Sequence, residues 1–146
     1  MNDIDYMKVA FENALIAYDN DEVPVGAIIV YQDKIIARAY NTNSRNNSPI
    51  EHAEINAIIK ASKILESKYL SECTLYVTLE PCLMCLGAIM NARISRVCFG
   101  AFDLKNGAII SNQNAKDKKV INWTSGILKD ECSSLIKDYF KNKREE

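Results

Sequence analysis

The chain has 146 residues, 48% hydrophobic and 25% charged, with a formal net charge of −1. That length suits one domain with a single good core, and the composition is that of an ordinary soluble protein. It excludes a bilayer-spanning helix, because no apolar run approaches the ~20 residues required. It also excludes a global electrostatic pull towards nucleic acid.

Asp3 to Asp19 reads as a helix, with Met7, Phe11, Ala14, Leu15 and Tyr18 on one face at three-to-four spacing. Val25 to Val30 is a short apolar run rich in β-branched residues. Gln32-Asp33 and then Lys34 to Tyr40 complete a hairpin signature. Asn41 to Ser48 is rich in Asn and Ser and is expected to be loop. Ser48-Pro49-Ile50-Glu51 has the form of a helix start: a capping serine, a proline at the first helical position and a glutamate to close a capping box. A helix over 49–66 is predicted. Thr74 to Leu79 is a buried strand, and Pro81 opens a second helix reaching about Ala92. Arg96 to Phe99 is another short strand. Ser125 to Lys141 is a terminal helix with Ile127, Leu128, Cys132, Leu135, Ile136 and Tyr139 on its inner side. This order describes one α/β sheet covered on both faces.

His52 is the chain's one histidine, and it heads His52-Ala53-Glu54. Pro81-Cys82-Leu83-Met84-Cys85 follows. An imidazole, a carboxylate and two cysteines at C-x-x-C spacing are the working parts of a hydrolytic zinc site. Three protein ligands hold the ion, a water takes the open position, and the Glu moves protons. Both motifs fall at predicted helix starts, where side chains can converge beyond the helix end. Unpaired N–H groups and the dipole there favour thiolate over thiol. A thioredoxin-like redox pair is the alternative for Cys82 and Cys85, and it leaves His52 and Glu54 unexplained. A structural zinc site is another alternative, with Cys73 as the nearest spare ligand. Cys73, Cys82, Cys85, Cys98 and Cys132 are an odd set and a poor disulfide framework. Cys98, inside Val97-Cys98-Phe99, reads as a buried small hydrophobe. The acidic start Met1-Asn2-Asp3-Ile4-Asp5 has no signal-peptide architecture, so a cytoplasmic protein is expected.

The H-x-E…P-C-x-x-C string is the established signature of the zinc nucleobase deaminases. The chain closely resembles the bacterial tRNA-specific adenosine deaminases, in the cytidine-deaminase-like superfamily, over nearly its whole length. Asp21-Glu22-Val23-Pro24-Val25-Gly26-Ala27 resembles the family's lead into its first strand. His52-Ala53-Glu54 and Thr78-Leu79-Glu80-Pro81-Cys82-Leu83-Met84-Cys85-Leu86-Gly87-Ala88 resemble its two zinc motifs. Phe99-Gly100-Ala101-Phe102-Asp103-Leu104-Lys105-Asn106-Gly107-Ala108 resembles the segment after its fourth strand. The zinc motifs are shared with cytidine, deoxycytidylate and guanine deaminases; the flanking segments are more specific.

The resemblance implies a three-layer α/β/α fold around a mixed five-stranded sheet, a homodimer, and one zinc per chain. It implies conversion of adenosine to inosine at the wobble position of a tRNA anticodon. His52, Cys82 and Cys85 match the zinc ligands, and Glu54 matches the proton shuttle. Asn41 matches a residue that hydrogen-bonds the target base, and Asp103 matches a position in the RNA-facing loop. Without the family, both read as loop or turn residues satisfying their own backbone. Phe102 departs from the pattern, standing where a basic residue is common. The Asn- and Lys-rich stretch Ser111 to Trp123 departs too. Lys116, Lys118 and Lys119 form one candidate RNA patch; Lys137, Lys141, Lys143 and Arg144 form another, and Tyr139-Phe140 resembles the aromatic part of the family's C-terminal helix. A guanine or other free-base deaminase and a non-catalytic zinc module that docks RNA or protein are the rival functions.

Overall fold

The structure is a computed structural model that describes residues 1–112 and 122–145. Helix α1 (Asp3–Asp19) leads into a hairpin, β1 (Gly26–Tyr31) and β2 (Lys34–Tyr40). A short helix α2 (Asn43–Asn46) and then α3 (Ala53–Leu65) follow. The chain continues through β3 (Cys73–Leu79), α4 (Leu83–Asn91), β4 (Arg96–Ala101), β5 (Asn122–Thr124) and α5 (Lys129–Arg144). The sheet order is β2-β1-β3-β4-β5. β1 pairs antiparallel with both β2 and β3, whereas β3–β4 and β4–β5 are parallel. The sheet is therefore mixed and five-stranded, with helices on both faces.

Alternation along the strands builds two cores. Ala27 and Ile29 of β1, Leu75 and Val77 of β3, and Val97 and Phe99 of β4 meet α3 and α4. Ile28, Val30, Tyr76 and Cys98 point the other way, onto Tyr6, Met7 and Ala10 of α1. α3 turns Ala53, Ala57 and Ala61 to the sheet at helical spacing, so it packs closely. α1 does the same with Ala10, Ala14 and Ala17. A Cβ at Gly26 would lie 2.0 Å from the Ala10 carbonyl oxygen, so glycine permits this approach. The inner face of α1 is thus rotated from the amphipathic reading: Leu15 faces solvent, at 41% exposure.

The hairpin turns on Gln32 and Asp33, both at positive φ (49° and 60°), as a two-residue turn of matching twist requires. The predicted helix over 49–66 instead begins at Ala53. The Ser48 N–H donates to the Asn43 carbonyl (3.0 Å), and the Glu51 carboxylate accepts from Thr42 Oγ1 (2.8 Å) and Asn46 Nδ2 (2.6 Å), so no capping box forms. α4 begins two residues after Pro81, behind Cys82. α5 begins at Lys129, not Ser125, because Gly126 and Leu128 sit at positive φ (81° and 56°). The short strand β5 and the four-residue helix α2 had no period long enough to be read.

Candidate active site

β2 and β3 run in the same direction, and α3 and α4 start beyond their common edge. His52 is the extended residue before α3 (φ −71°, ψ 157°), and Cys82 is the extended residue before α4 (φ −75°, ψ 175°). Neither side chain caps its helix. Both turn towards each other. His52 Nδ1 lies 3.7 Å from Cys82 Sγ and 3.4 Å from Cys85 Sγ, and the three donor atoms lie within 4.8 Å of one another. Tetrahedral zinc with ~2.3 Å bonds to sulfur and ~2.0 Å to nitrogen separates those donors by roughly 3.5 Å. The donor set fits that ion in identity and in spacing.

Protons are shared unevenly across this cluster. The Cys82 thiol is pulled down to about 4, first by the Cys85 hydrogen bond, against burial, and then by His52. The same bond, with burial, pushes Cys85 up. His52 is raised, chiefly by its bond to Cys82. A thiolate is the form that binds a metal. Glu54, the second residue of α3, is 4% exposed. Burial pushes its carboxyl up to about 7, against its own backbone N–H and the His52 charge. A carboxyl poised there can take and return a proton near neutral pH.

These groups open onto a cavity of about 930 Å³, within the range of ligand pockets. Asn41 lines it and is 7% exposed. Its Oδ1 accepts from the Ala53 N–H (2.7 Å), and its Nδ2 donates to the Val23 carbonyl (3.1 Å). Asn41 thus ties the β1 and β2 side of the cavity to the α3 start, where it satisfies the first helical N–H, that of Ala53. Asp103 lines the opposite rim as a turn residue, its Oδ1 accepting from the N–H groups of Lys105 and Asn106.

The MafB19-like deaminase family profile matches residues 1–144. The tRNA-specific adenosine deaminase of Aquifex aeolicus (strain VF5) is 43% identical over 143 residues, covering 95% of this chain and 94% of that protein. A solved structure from a study of A-to-I editing by tRNA:A34 deaminases at the wobble position of transfer RNA aligns with a TM-score of 0.86. It is 37% identical, over 90% of this chain and 98% of that one. The chain belongs to the tRNA-specific adenosine deaminases. A guanine deaminase structure from Bacillus subtilis is 35% identical with a TM-score of 0.67, over 84% of this chain and 73% of that one. The cytidine-deaminase-like fold therefore reaches beyond the tRNA enzymes.

Against the family pattern, Phe102 packs edge-on to Phe99, with ring centroids 5.5 Å apart. Lys129 Nζ stands over the Phe102 ring, 5.5 Å from its centroid. Tyr139 and Phe140 divide their work: Tyr139 is buried and donates to the Asp21 carbonyl (3.2 Å), while Phe140 is 43% exposed and lines the cavity. Of the C-terminal basic group, Lys143 pairs with Asp21 (2.6 Å); Lys137, Lys141 and Arg144 are exposed. Lys116, Lys118 and Lys119 lie outside the described residues. Cys73 begins β3 and the His52, Cys82 and Cys85 group follows its far end, so Cys73 stands apart from that group. Cys98 and Cys132 are buried free thiols.

Two buried carboxylates were not singled out by their chemistry in the sequence. Glu22 (2% exposed) accepts from the N–H groups of Ser44 (2.9 Å) and Arg45 (2.7 Å), holding α2 at the cavity. Glu80 (2% exposed) accepts from the segment after β4. Burial would raise its pKa, but hydrogen bonds from Ser111, Ile110 and Asp103 together hold it below the usual value. The available signal was a charge set among apolar residues, in Glu22-Val23-Pro24-Val25 and in Leu79-Glu80-Pro81.

Proposed function

We propose that this protein hydrolytically deaminates adenosine to inosine at the wobble position of a tRNA anticodon. One zinc ion per chain would be held by His52, Cys82 and Cys85. The whole chain acts as one deaminase domain, in the cytoplasm and as a homodimer. The observation that carries this reading is Glu54, a buried carboxyl raised to about 7 beside a His/Cys/Cys cluster of tetrahedral spacing. It stands in a chain 43% identical to a protein named for tRNA adenosine deamination.

Zinc held there would supply Lewis acidity, which lets an attacking water give up its proton near neutral pH. Glu54 accepts that proton, then delivers protons to the ring nitrogen and to the leaving amine. Water adds its oxygen to the ring carbon, the exocyclic C–N bond breaks, and ammonia leaves. Asn41 has a second amide hydrogen to offer the base, its oxygen being engaged by Ala53. Asp103 Oδ2 accepts no hydrogen bond among the described residues and is free to take one from a ribose 2′-OH. The target base must leave its stack to reach Glu54, so the loop around it is held by sugars and phosphates.

The test incubates pure zinc-loaded protein with an anticodon stem-loop RNA, its DNA counterpart, guanine and cytidine, and measures ammonia. Release from the RNA loop alone, weakening as salt rises, is the expected result. Guanine turnover would favour a free-base deaminase, and silence on all four a binding module. Equal turnover of RNA and DNA loops would remove the 2′-OH role from Asp103.

A further inference from the structure

Glu80 stands one residue before Pro81 and leads directly into the cysteine motif. Its Oε1 accepts from the Asp103 N–H (3.2 Å) and from the Ser111 hydroxyl. Its Oε2 accepts from the N–H groups of Ile109 (3.1 Å), Ile110 (2.7 Å) and Ser111 (2.9 Å). The donors come from the two ends of one rim segment. Between them Leu104, Lys105 and Asn106 are exposed and line the cavity.

The segment is already closed on itself. Asp103 Oδ1 binds two of its N–H groups, and Asn112 Nδ2 donates to the carbonyls of Leu104 (3.3 Å), Lys105 (3.1 Å) and Gly107 (2.9 Å). Local shape therefore does not need Glu80. What Glu80 adds is a fixed place for that shape relative to Cys82. The Ala108 N–H donates to the Pro81 carbonyl (2.9 Å), and Gly107 bridges to Cys82. A Cβ on Gly107 would sit 2.3 Å from the Glu80 carboxyl, so the rim is seated directly on this carboxylate. Burying a carboxylate is costly unless donors converge on it, and here they do.

We propose that Glu80 is a positioning residue. It holds the Asp103–Ser111 rim in register with the Cys82–Cys85 helix start, so that an RNA loop seated on the rim presents its adenosine to Glu54. The proposal rests on the function proposed above. Its test is Glu80→Gln, which keeps the shape. The amide oxygen can serve Ile109, Ile110 and Ser111, but the NH₂ then faces the Asp103 N–H, donor against donor.

The expected result has three parts. Zinc content stays at the wild-type level. Amide hydrogen exchange at Asp103, Ile109, Ile110 and Ser111, whose N–H groups donate to Glu80, speeds up about tenfold, and KM for the stem-loop rises about tenfold with kcat within about twofold. Unchanged exchange overturns the proposal, as does faster exchange with unchanged KM. Loss of zinc also overturns it, because Glu80 would then act on the metal cluster and not on the rim. If wild type is inactive on the stem-loop, the tRNA reading fails, and the exchange comparison decides Glu80 separately. If Glu80→Gln does not fold, Ser111→Ala removes one donor without stranding a charge. About threefold effects of the same sign support the proposal, and wild-type KM and exchange overturn it.

Discussion

Helix α1 and the pair α3 and α4 begin in opposite ways. α1 starts with a full capping box: Asn2 accepts from the Asp5 N–H (2.9 Å), and the Asp5 carboxylate accepts from the Asn2 N–H (3.2 Å). α3 and α4 place His52 and Cys82 at the same position and receive no side-chain cap. A good cap is worth about 1 kcal/mol. At the cavity that stabilisation is given up, and two side chains that could sit over their helix ends converge on a common centre instead. The difference separates a helix start built for stability from starts built for chemistry. Asn41 accepts the Ala53 N–H, the first of α3, which a capping side chain at His52 would not serve.

The largest expected effect lies one step inside the uncapped α3 start. Glu54→Ala should lose activity by about 10³-fold or more, since general acid–base groups contribute about 10²–10⁴-fold and this one serves several proton transfers. Zinc content and melting temperature should stay near wild type. Steady-state kinetics beside metal analysis checks this; near-normal turnover would remove Glu54 from the chemistry. Next is Cys85→Ala, which should lose the metal and lower the melting temperature by about 10 °C or more, because metal binding and folding are coupled. Full zinc content in that variant would count against the cluster.

The comparison itself is tested by a pair of substitutions of opposite sign. Asn2→Ala should destabilise the protein by about 1 kcal/mol and leave kcat/KM unchanged. His52→Asn should abolish zinc binding and activity, yet stabilise chelator-treated protein against urea by a similar amount, because α3 gains a cap. A less stable His52→Asn under chelation would show that the α3 start is not held back by its histidine.

The smallest effect is a pH dependence at α1. Asp3 receives a bidentate contact from Arg96 (3.0 and 2.7 Å) and a bond from the Tyr76 hydroxyl (2.6 Å). The Arg96 bond, opposed by burial and helped by Tyr76, holds the Asp3 carboxyl below its usual value. Its stabilisation is therefore present above the unfolded value of about 4 and is lost as pH falls through the lowered folded value. The side chain is 35% exposed, so solvent screening keeps the term below about 1 kcal/mol. Asp3→Asn should flatten the acid limb of stability against pH between about 5 and 2. An unaltered limb would assign it to other carboxylates.

What was legible followed from short-range rules. The α1 helix matches its predicted bounds because three-to-four apolar spacing is a property of neighbouring residues. The Gln32-Asp33 turn was legible for the same reason. So were the residue types that meet at His52, Cys82 and Cys85, since C-x-x-C after a proline and H-x-E carry their spacing within one turn. The start of α3 was not. Ser48 to Glu51 satisfies every local capping rule, yet Glu51 bonds Thr42 and Asn46, partners that the fold brings to it.

By itself the sequence determined a two-faced α/β sheet, the donor set and the one carboxylate beside it, because those depend on residue type and near-neighbour spacing. Tertiary structure decided which residue caps each helix and which side of α1 is buried. It also brought His52 within 3.4 Å of a cysteine thirty-three positions away, and set Glu22 and Glu80 under opposite rims of the cavity. Those outcomes depend on groups far apart in the chain. A buried carboxylate is tolerated only where backbone N–H groups from another segment converge on it, and no local pattern encodes that convergence.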